Sequence, residues 1–207
     1  MDSLQQTILT AALPHIAFDG WTMSSLERGA RDAGLAAAEA QRAFPGGAME
    51  AIAAHSRATD EAMLDKLRND YTLSTMKVRD RIRTGVMVRL RLAMAEREAV
   101  RRALAHLMLP WNMARGLELL HRTVDIIWRE AGDTATDWNY YSKRILLGKI
   151  YLATLYVWLD DKTSTLEETE AFLSRRIEDV MKIEKAKARS KEFCSRTESS
   201  FRRYRPL

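Results

Sequence analysis

Four histidines, one cysteine and 28 acidic side chains are the raw material from which this 207-residue chain could build a reactive site. His15, His55, His106 and His121 are scattered. Glu118-Leu-Leu-His121 matches the Glu-x-x-His pairing of di-iron helical bundles, but that site needs a second copy and two further glutamates, and no second copy is present. Cys194 lies in a basic stretch without a nearby histidine and reads as an incidental thiol. A lone cysteine forms no internal disulfide, so a reducing compartment is expected. There is no glycine-rich phosphate loop, no zinc-ligand spacing and no nucleophile elbow. The expectation is a protein that is not an enzyme, with no catalytic residue, no metal and no cofactor.

Charge is more informative. The formal net charge is +5, and it is unevenly spread. Residues 77–102 and 182–207 each carry net +6, while 1–76 and 103–181 carry net −4 and −3. Two basic segments on a mildly acidic chain attract phosphates, of nucleic acid or of anionic lipid. Lys77-x-Arg79-x-Arg81-x-Arg83 reads as a solvated helix face that could touch lipid headgroups. The start, MDSLQQTIL, has no basic stretch leading into an apolar one, so no secretory signal is expected.

The elements that must position any site are helices. Hydrophobic spacing predicts an all-α chain of about nine helices with no strands. The first runs over 3–17, with Leu4, Ile8, Leu9, Ala12, Leu13 and Ile16 at helical spacing. The second starts from Thr22 or Ser24, with a capping box at Ser24 and Glu27, and ends at Gly34. The third covers 36–43 and the fourth 48–70. In the fifth, over 74–95, Val88, Leu90, Leu92 and Met94 alternate like a strand, but no second strand exists to pair with it. Helices over 96–108 and 112–131 follow, then Asp137 to Asp161. Between Ile145 and Leu159 apolar residues surround the helix axis, with only Lys149 charged. That is too short for a membrane span and predicts a buried central helix. Trp138-Asn139-Tyr140-Tyr141 puts three aromatics in four residues, which one helix face cannot hide. They face a partner or ligand, or pack at the helix end.

Two resemblances organise these observations. Ile8, Ala11-Ala12, Phe18, Gly20-Trp21-Thr22, Leu26, Ala30, Ala33-Gly34, Phe44-Pro45 and Met49-Glu50 resemble the N-terminal helix-turn-helix of TetR-type repressors. This implies an all-helical homodimer with a ligand pocket in its larger part. The reading helix, Ala36 to Ala43, offers one arginine against one glutamate, and the first 50 residues carry net −3. DNA phosphates need cations, so nucleic acid is not an expected partner. Trp128, Gly132-Asp133, Asp137, Asn139, Tyr141, Arg144, Tyr151 and Asp161, with Phe172-Leu173-x-Arg175-Arg176-Ile177, resemble the accessory lipid-binding family of ubiquinone biosynthesis. That family implies a non-catalytic protein that binds aromatic isoprenoids and presents them to a membrane-bound hydroxylase. It implies a partner-binding patch at Trp138, Tyr140, Tyr141 and Arg144, although mitochondrial members carry tryptophan in the place of Tyr140. The mitochondrial members begin with a long transit sequence, which this one does not show, so a bacterial cytoplasm with peripheral inner-membrane association is expected.

Four regions follow: a helix-turn-helix-like 1–47, a ligand-binding bundle over 48–161, an amphipathic membrane helix over 162–187 and a basic, disordered tail over 188–207. Leu166, Thr169, Leu173, Ile177 and Val180 form a stripe flanked by Phe172 and Met181. Leu166, Phe172, Leu173, Ile177, Val180 and Met181 are the expected membrane face, or else pack on the bundle. The cations that follow gain roughly 1 kcal/mol each near an anionic leaflet. A polyprenyl ligand (an isoprenoid quinone or its precursor) needs a long apolar tunnel. Its expected lining is Met87, Leu90, Met94, Leu117, Leu120, Val124, Trp128, Leu147, Tyr151 and Leu155, the alternative for any one of them being dry core. A ligand-responsive repressor is the alternative function.

Overall fold

The computed structural model describes residues 2–136 and 138–182, except for the side chains of Trp138 and Asn139. The expected basic tail over 188–207 therefore lies outside the described residues, as do Lys185 and Lys187. The described residues form nine α-helices, two short 3-10 turns and no strand.

The first three helices make a small layer with its own core. Helix α1 (Ser3–Asp19) buries Ile8, Leu9, Ala12 and Ile16. Gly20, at φ 80°, then ends it in a conformation that a β-carbon disfavours. Helix α2 (Met23–Asp32) is capped by Thr22, whose Oγ1 accepts from the Ser25 N–H at 3.1 Å. The expected capping box at Ser24 and Glu27 does not form, because the helix starts before Ser24. Gly29 lets α1 and α2 touch: a β-carbon there would stand 2.5 Å from Ala12 Cβ. Helix α3 (Ala38–Ala43) closes the layer, with Leu26, Trp21 and Phe44 buried beneath it. The Trp21 Nε1 donates to Ala99 O at 2.8 Å and ties this layer to the larger one.

The larger layer comprises α4 (Gly47–Asp70), α5 (Val78–Leu92), α6 (Arg97–Leu107), α7 (Met113–Glu130), α8 (Trp138–Asp160) and α9 (167–182). Its core joins Met63, Leu67, Val86, Met87, Leu90, Ile127, Trp158, Leu166 and Leu173. The strand-like alternation in α5 has a simple cause. From Gly85 to Leu90 every residue is buried, so no apolar stripe is needed. The central helix is thus α5, which corrects the expectation for α8. Helix α8 buries Leu147, Tyr151, Leu155, Trp158 and Leu159 but exposes Ile145, Leu146, Leu152 and Tyr156, the last at 71%. Its second apolar face lies on the outside of the chain.

The stripe of α9 packs on the bundle. Leu166, Thr169 and Leu173 are fully buried, and Ile177 packs against the same core. Leu166 and Leu173 therefore cannot serve as membrane contacts in this docked arrangement. Asp161 holds the turn that leads into α9. Its Oδ1 accepts from the Thr163 N–H at 2.9 Å and the Thr163 hydroxyl at 2.5 Å. Its Oδ2 accepts from the Thr169 N–H and hydroxyl at 2.9 and 2.7 Å. Burial pushes this carboxyl up, but the four hydrogen bonds outweigh it and bring its pKa down to about 2. Arg97 and Arg101 donate to the carbonyls of Asp161 and Leu159 at the end of α8, where helix carbonyls lack partners. No helix among the described residues is long and apolar enough to cross a membrane.

Two outcomes follow from this packing. Gly29→Ala is expected to lower stability by roughly 1–3 kcal/mol, because backbone rather than a flexible side chain blocks the new methyl; chemical denaturation checks it, and a neutral result contradicts the close approach. Asp161→Asn is expected to cost about 1–3 kcal/mol at neutral pH. The depressed pKa means that this contribution is intact above the ordinary carboxyl value of 3.8 and is lost as pH falls towards about 2. The difference in melting temperature between wild type and variant should accordingly shrink in acid.

Candidate functional site

Three spaces in the larger layer could receive a ligand. The largest, about 300 Å³, lies between α5, α7, α8 and α9. Its apolar wall includes Ile82, Trp128, Leu147, Ile150, Ile177 and Val180, and Lys77, Arg79 and Lys143 stand around it. The Trp128 Nε1 donates to Lys143 O at 3.1 Å, and the Lys143 ammonium lies 5.4 Å from the Trp128 ring centroid. A second space, about 100 Å³, has Ser56, Thr59, Arg89, Thr123 and Tyr151 among its polar wall and Leu104, Leu119, Leu120 and Leu155 among its apolar wall. The third, about 250 Å³, is a groove on the outer side of α7 and α8, lined by Leu117, Leu120, Val124, Ile145 and Leu152.

The single apolar tunnel expected from the sequence is thus divided. Trp128 and Leu147 line the largest cavity, Leu120, Tyr151 and Leu155 the second, and Leu117, Leu120 and Val124 the groove. Met87 and Leu90 line none of these three and are buried at 2% and 1% in the core, while Met94 packs against that core. Met87 and Leu90 lie in the stretch of α5, Gly85 to Leu90, that is buried throughout. Ile177, Val180 and Met181, expected at the membrane, line the largest cavity, and Met181 is also 40% exposed. Phe172 is half-buried, with the Arg176 guanidinium 5.4 Å from its ring. Ile82 and Ile150 were absent from the expected lining, because hydrophobicity alone does not separate a cavity wall from filled core. Of the basic run, Arg81 is spent on the carbonyls of Ser74, Met76 and Ala131, and Arg83 on Asp80.

The aromatic patch rests on a charge network. Arg144, 3% exposed, donates Nε to Asp125 Oδ1 at 2.6 Å and Nη1 to Asp133 Oδ2 at 3.0 Å. Its guanidinium also lies 3.4 Å from the Tyr140 ring centroid. The Tyr140 hydroxyl donates to Asp125 Oδ1 at 3.2 Å, and the rings of Tyr140 and Tyr141 meet edge-on at 5.1 Å. Lys143 adds a 2.6 Å bond to Asp133. Burial pushes both carboxyls up, but the hydrogen bond and charge of Arg144 hold Asp125 below its ordinary value, and Lys143 with Arg144 does the same for Asp133. Buried Arg144 therefore positions the patch, which corrects the expectation that it contacts a partner directly. Tyr141 is 58% exposed and Tyr140 half-buried, while the Trp138 side chain lies outside the described residues. Below them Leu117, Ile145, Leu152 and Tyr156 continue an exposed apolar band along α7 and α8. Elsewhere, Glu118 of the Glu-x-x-His pair is bound to Arg115. No group of three or more metal-ligating side chains converges among the described residues.

The segment that builds the patch and most of the cavity wall has known relatives. The COQ9 family model matches residues 113–184, which span α7, α8 and α9. The human protein named "Ubiquinone biosynthesis protein COQ9, mitochondrial" is 34% identical over 188 residues, covering 88% of this chain and 59% of its own length. Its Xenopus laevis counterpart, COQ9-B, is 32% identical over 186 residues, covering 87% and 63%. The chain is similar to COQ9 proteins over most of its length. It spans about three-fifths of the curated COQ9 proteins it matches, 59% for the human and 60% for the rat protein. A TetR transcriptional regulator from Nitrosomonas europaea superposes with a TM-score of 0.69 at 19% identity, covering 85% of this chain and 97% of that one. This establishes the TetR-like, all-α fold expected from the sequence and nothing beyond it. In this chain the resemblance residues Trp128, Asp133, Arg144 and Asp161 are structural, holding the cavity wall, the patch and the turn into α9.

Arg144→Met is expected to destabilise the fold by roughly 1–3 kcal/mol, because Asp125 and Asp133 lose their shared buried partner and keep only Arg129 and Lys143. A thermal melt checks the magnitude, and a loss under 1 kcal/mol would mean that the network does not hold α8.

Proposed function

We propose that this chain is a non-catalytic lipid-binding accessory protein of ubiquinone biosynthesis. It takes an aromatic isoprenoid intermediate from the membrane and presents the ring to a hydroxylase. The observation that carries this reading is the COQ9 similarity over 88% of the chain, whose family-matched segment also builds the largest apolar cavity and the aromatic patch. The cavity supplies an apolar wall for part of a prenyl chain. Tyr140 and Tyr141, held by Arg144, form the hydroxylase contact.

The protein associates peripherally with the inner membrane. Its contact surface is the outward side of α9 together with the basic residues Lys185, Lys187, Arg189 and Lys191, which lie outside the described residues. Leu166 and Leu173 take part only if α9 leaves the bundle. Two copies pair, as the resemblance to TetR-type repressors implies.

DNA is not a partner on this reading. The one cation of α3, Arg42, is bound to Glu39 at 2.8 Å, so the helix offers phosphates little net positive charge. The likeness to a TetR regulator concerns backbone arrangement alone.

A strain lacking the gene should be short of ubiquinone and accumulate an under-hydroxylated, prenylated precursor, both read by mass spectrometry of lipid extracts. Normal quinone content would sink the proposal. Protein purified without detergent should carry an isoprenoid lipid, and Leu147→Trp, which fills the largest cavity, should reduce it severalfold.

A further inference from the structure

The second cavity has a feature that a pure hydrocarbon chain does not require. One side is apolar, with Leu119, Leu155 and Val100, and the other carries Ser56, Arg89, Thr123 and Tyr151. Arg89 is 9% exposed and would be costly unpaired. Asp60, fully buried, accepts from its Nε at 2.8 Å and cancels its charge. The remaining arms donate to the Tyr151 hydroxyl at 2.6 Å and to Ser56 Oγ at 3.1 Å. Both hydroxyl oxygens thus act as acceptors towards Arg89. The Tyr151 proton has no acceptor among the described residues. Burial raises the Tyr151 phenol above its usual value, so it stays protonated at physiological pH.

Such a wall is neutral and donor-rich. An ionised carboxylate or phosphate finds no net positive charge there. A carbonyl, hydroxyl or ether oxygen finds a donor that is already oriented. The space, about 100 Å³, is smaller than the roughly 150 Å³ cavity that holds a benzene molecule. It can take the oxygen-bearing edge of a ring, and the rest of the molecule must continue elsewhere. The way on is marked by two residues. Leu120 and Leu152 line both this cavity and the α7–α8 groove. The groove also reaches Arg144 and His121, whose ring lies 6.2 Å from that of Tyr140.

We propose that the second cavity and the groove form one passage through the Leu120–Leu152 wall, and that its inner end recognises an oxygenated aromatic ring through the Tyr151 hydroxyl and its polar neighbours. This assignment rests on the lipid-carrier reading and adds the position of the head group. The ring is held at Tyr151, and the passage leads it out beside the Tyr140–Tyr141 patch. The largest cavity shares no lining residue with this passage and takes a separate lipid chain.

The test uses the full chain and two probes of equal tail length, a decyl-substituted dimethoxybenzoquinone and decylbenzene, titrated by calorimetry. Wild type should bind the quinone about tenfold more tightly than the hydrocarbon, the scale of one or two buried hydrogen bonds. Tyr151→Phe keeps the ring and removes the donor. It should bring the two affinities together by weakening the quinone alone. Leu152→Trp, at a position that is 43% exposed and tolerant of added bulk, should close the passage and weaken the quinone probe about tenfold. Melting curves confirm that both variants fold. Quinone affinity unchanged in both variants overturns the assignment while leaving the carrier reading intact. Failure of wild type to bind either probe overturns the two together.

Discussion

Everything that could serve function in this chain depends on one guanidinium. Arg144 enters the structure from α8, and its two carboxylate partners come from α7 and from the loop between the helices. The three groups are ionised, close and largely removed from water. Charges so placed are tolerated only at short range and in fixed geometry, so the network sets the angle and register of α8 against α7. That register places Leu147 and Ile150 against the largest cavity, Tyr151 and Leu155 against the second, and Ile145 and Leu152 on the outside. It also presents the Tyr140 ring from beneath and leaves Tyr141 in the open.

The two ends of α8 are fixed by different means, and the contrast bears on mobility. The start is held by the Arg144 network. The finish is held by Arg97 and Arg101 on the last carbonyls and by Asp161, which gathers four donors into one turn. Asp161 thereby controls the position of α9 as well. This last helix has an apolar stripe with two clients. Its first half, at Leu166 and Leu173, completes the core, and its second half, at Ile177 and Val180, lines the largest cavity, with Ile177 also packed against that core. Release of the second half would expose less core surface than release of the first.

Polar groups divide the interior in a way that matters for ligands. The largest cavity is nearly all apolar inside, with cations near it. The second has a neutralised arginine and a protonated phenol in its wall. A buried ion pair of this kind is weak evidence for stability, because similar volumes of hydrocarbon pack as well or better. Here the pair stands at the wall of a space, with the Tyr151 hydroxyl on one of its arms.

Much of the fold is written in local sequence. The cap at Thr22, the stops at Gly20 and Gly34 and the helical spacing of α1 are short-range signals, and each produced the element it indicated to within a few residues. The absence of strands followed from the absence of any partner for the alternating run at 88–94. The resemblance residues near Gly132 and Arg144 led to the family for the same reason: they sit close in sequence because they act in one small network. What the sequence could not separate was buried from exposed apolar surface. Apolar residues run through the middle of both α5, where Gly85 to Leu90 are all buried, and α8, which has a bare outer face. Likewise Met87 and Leu147 are equally apolar, yet one fills core and the other borders a cavity. Those differences arise from which helices lie on which side, a long-range matter of packing. Local sequence determined the helices and the carriers of chemistry; the tertiary arrangement alone decided where space was left between them, because a cavity is a property of the several helices around it and of no single one.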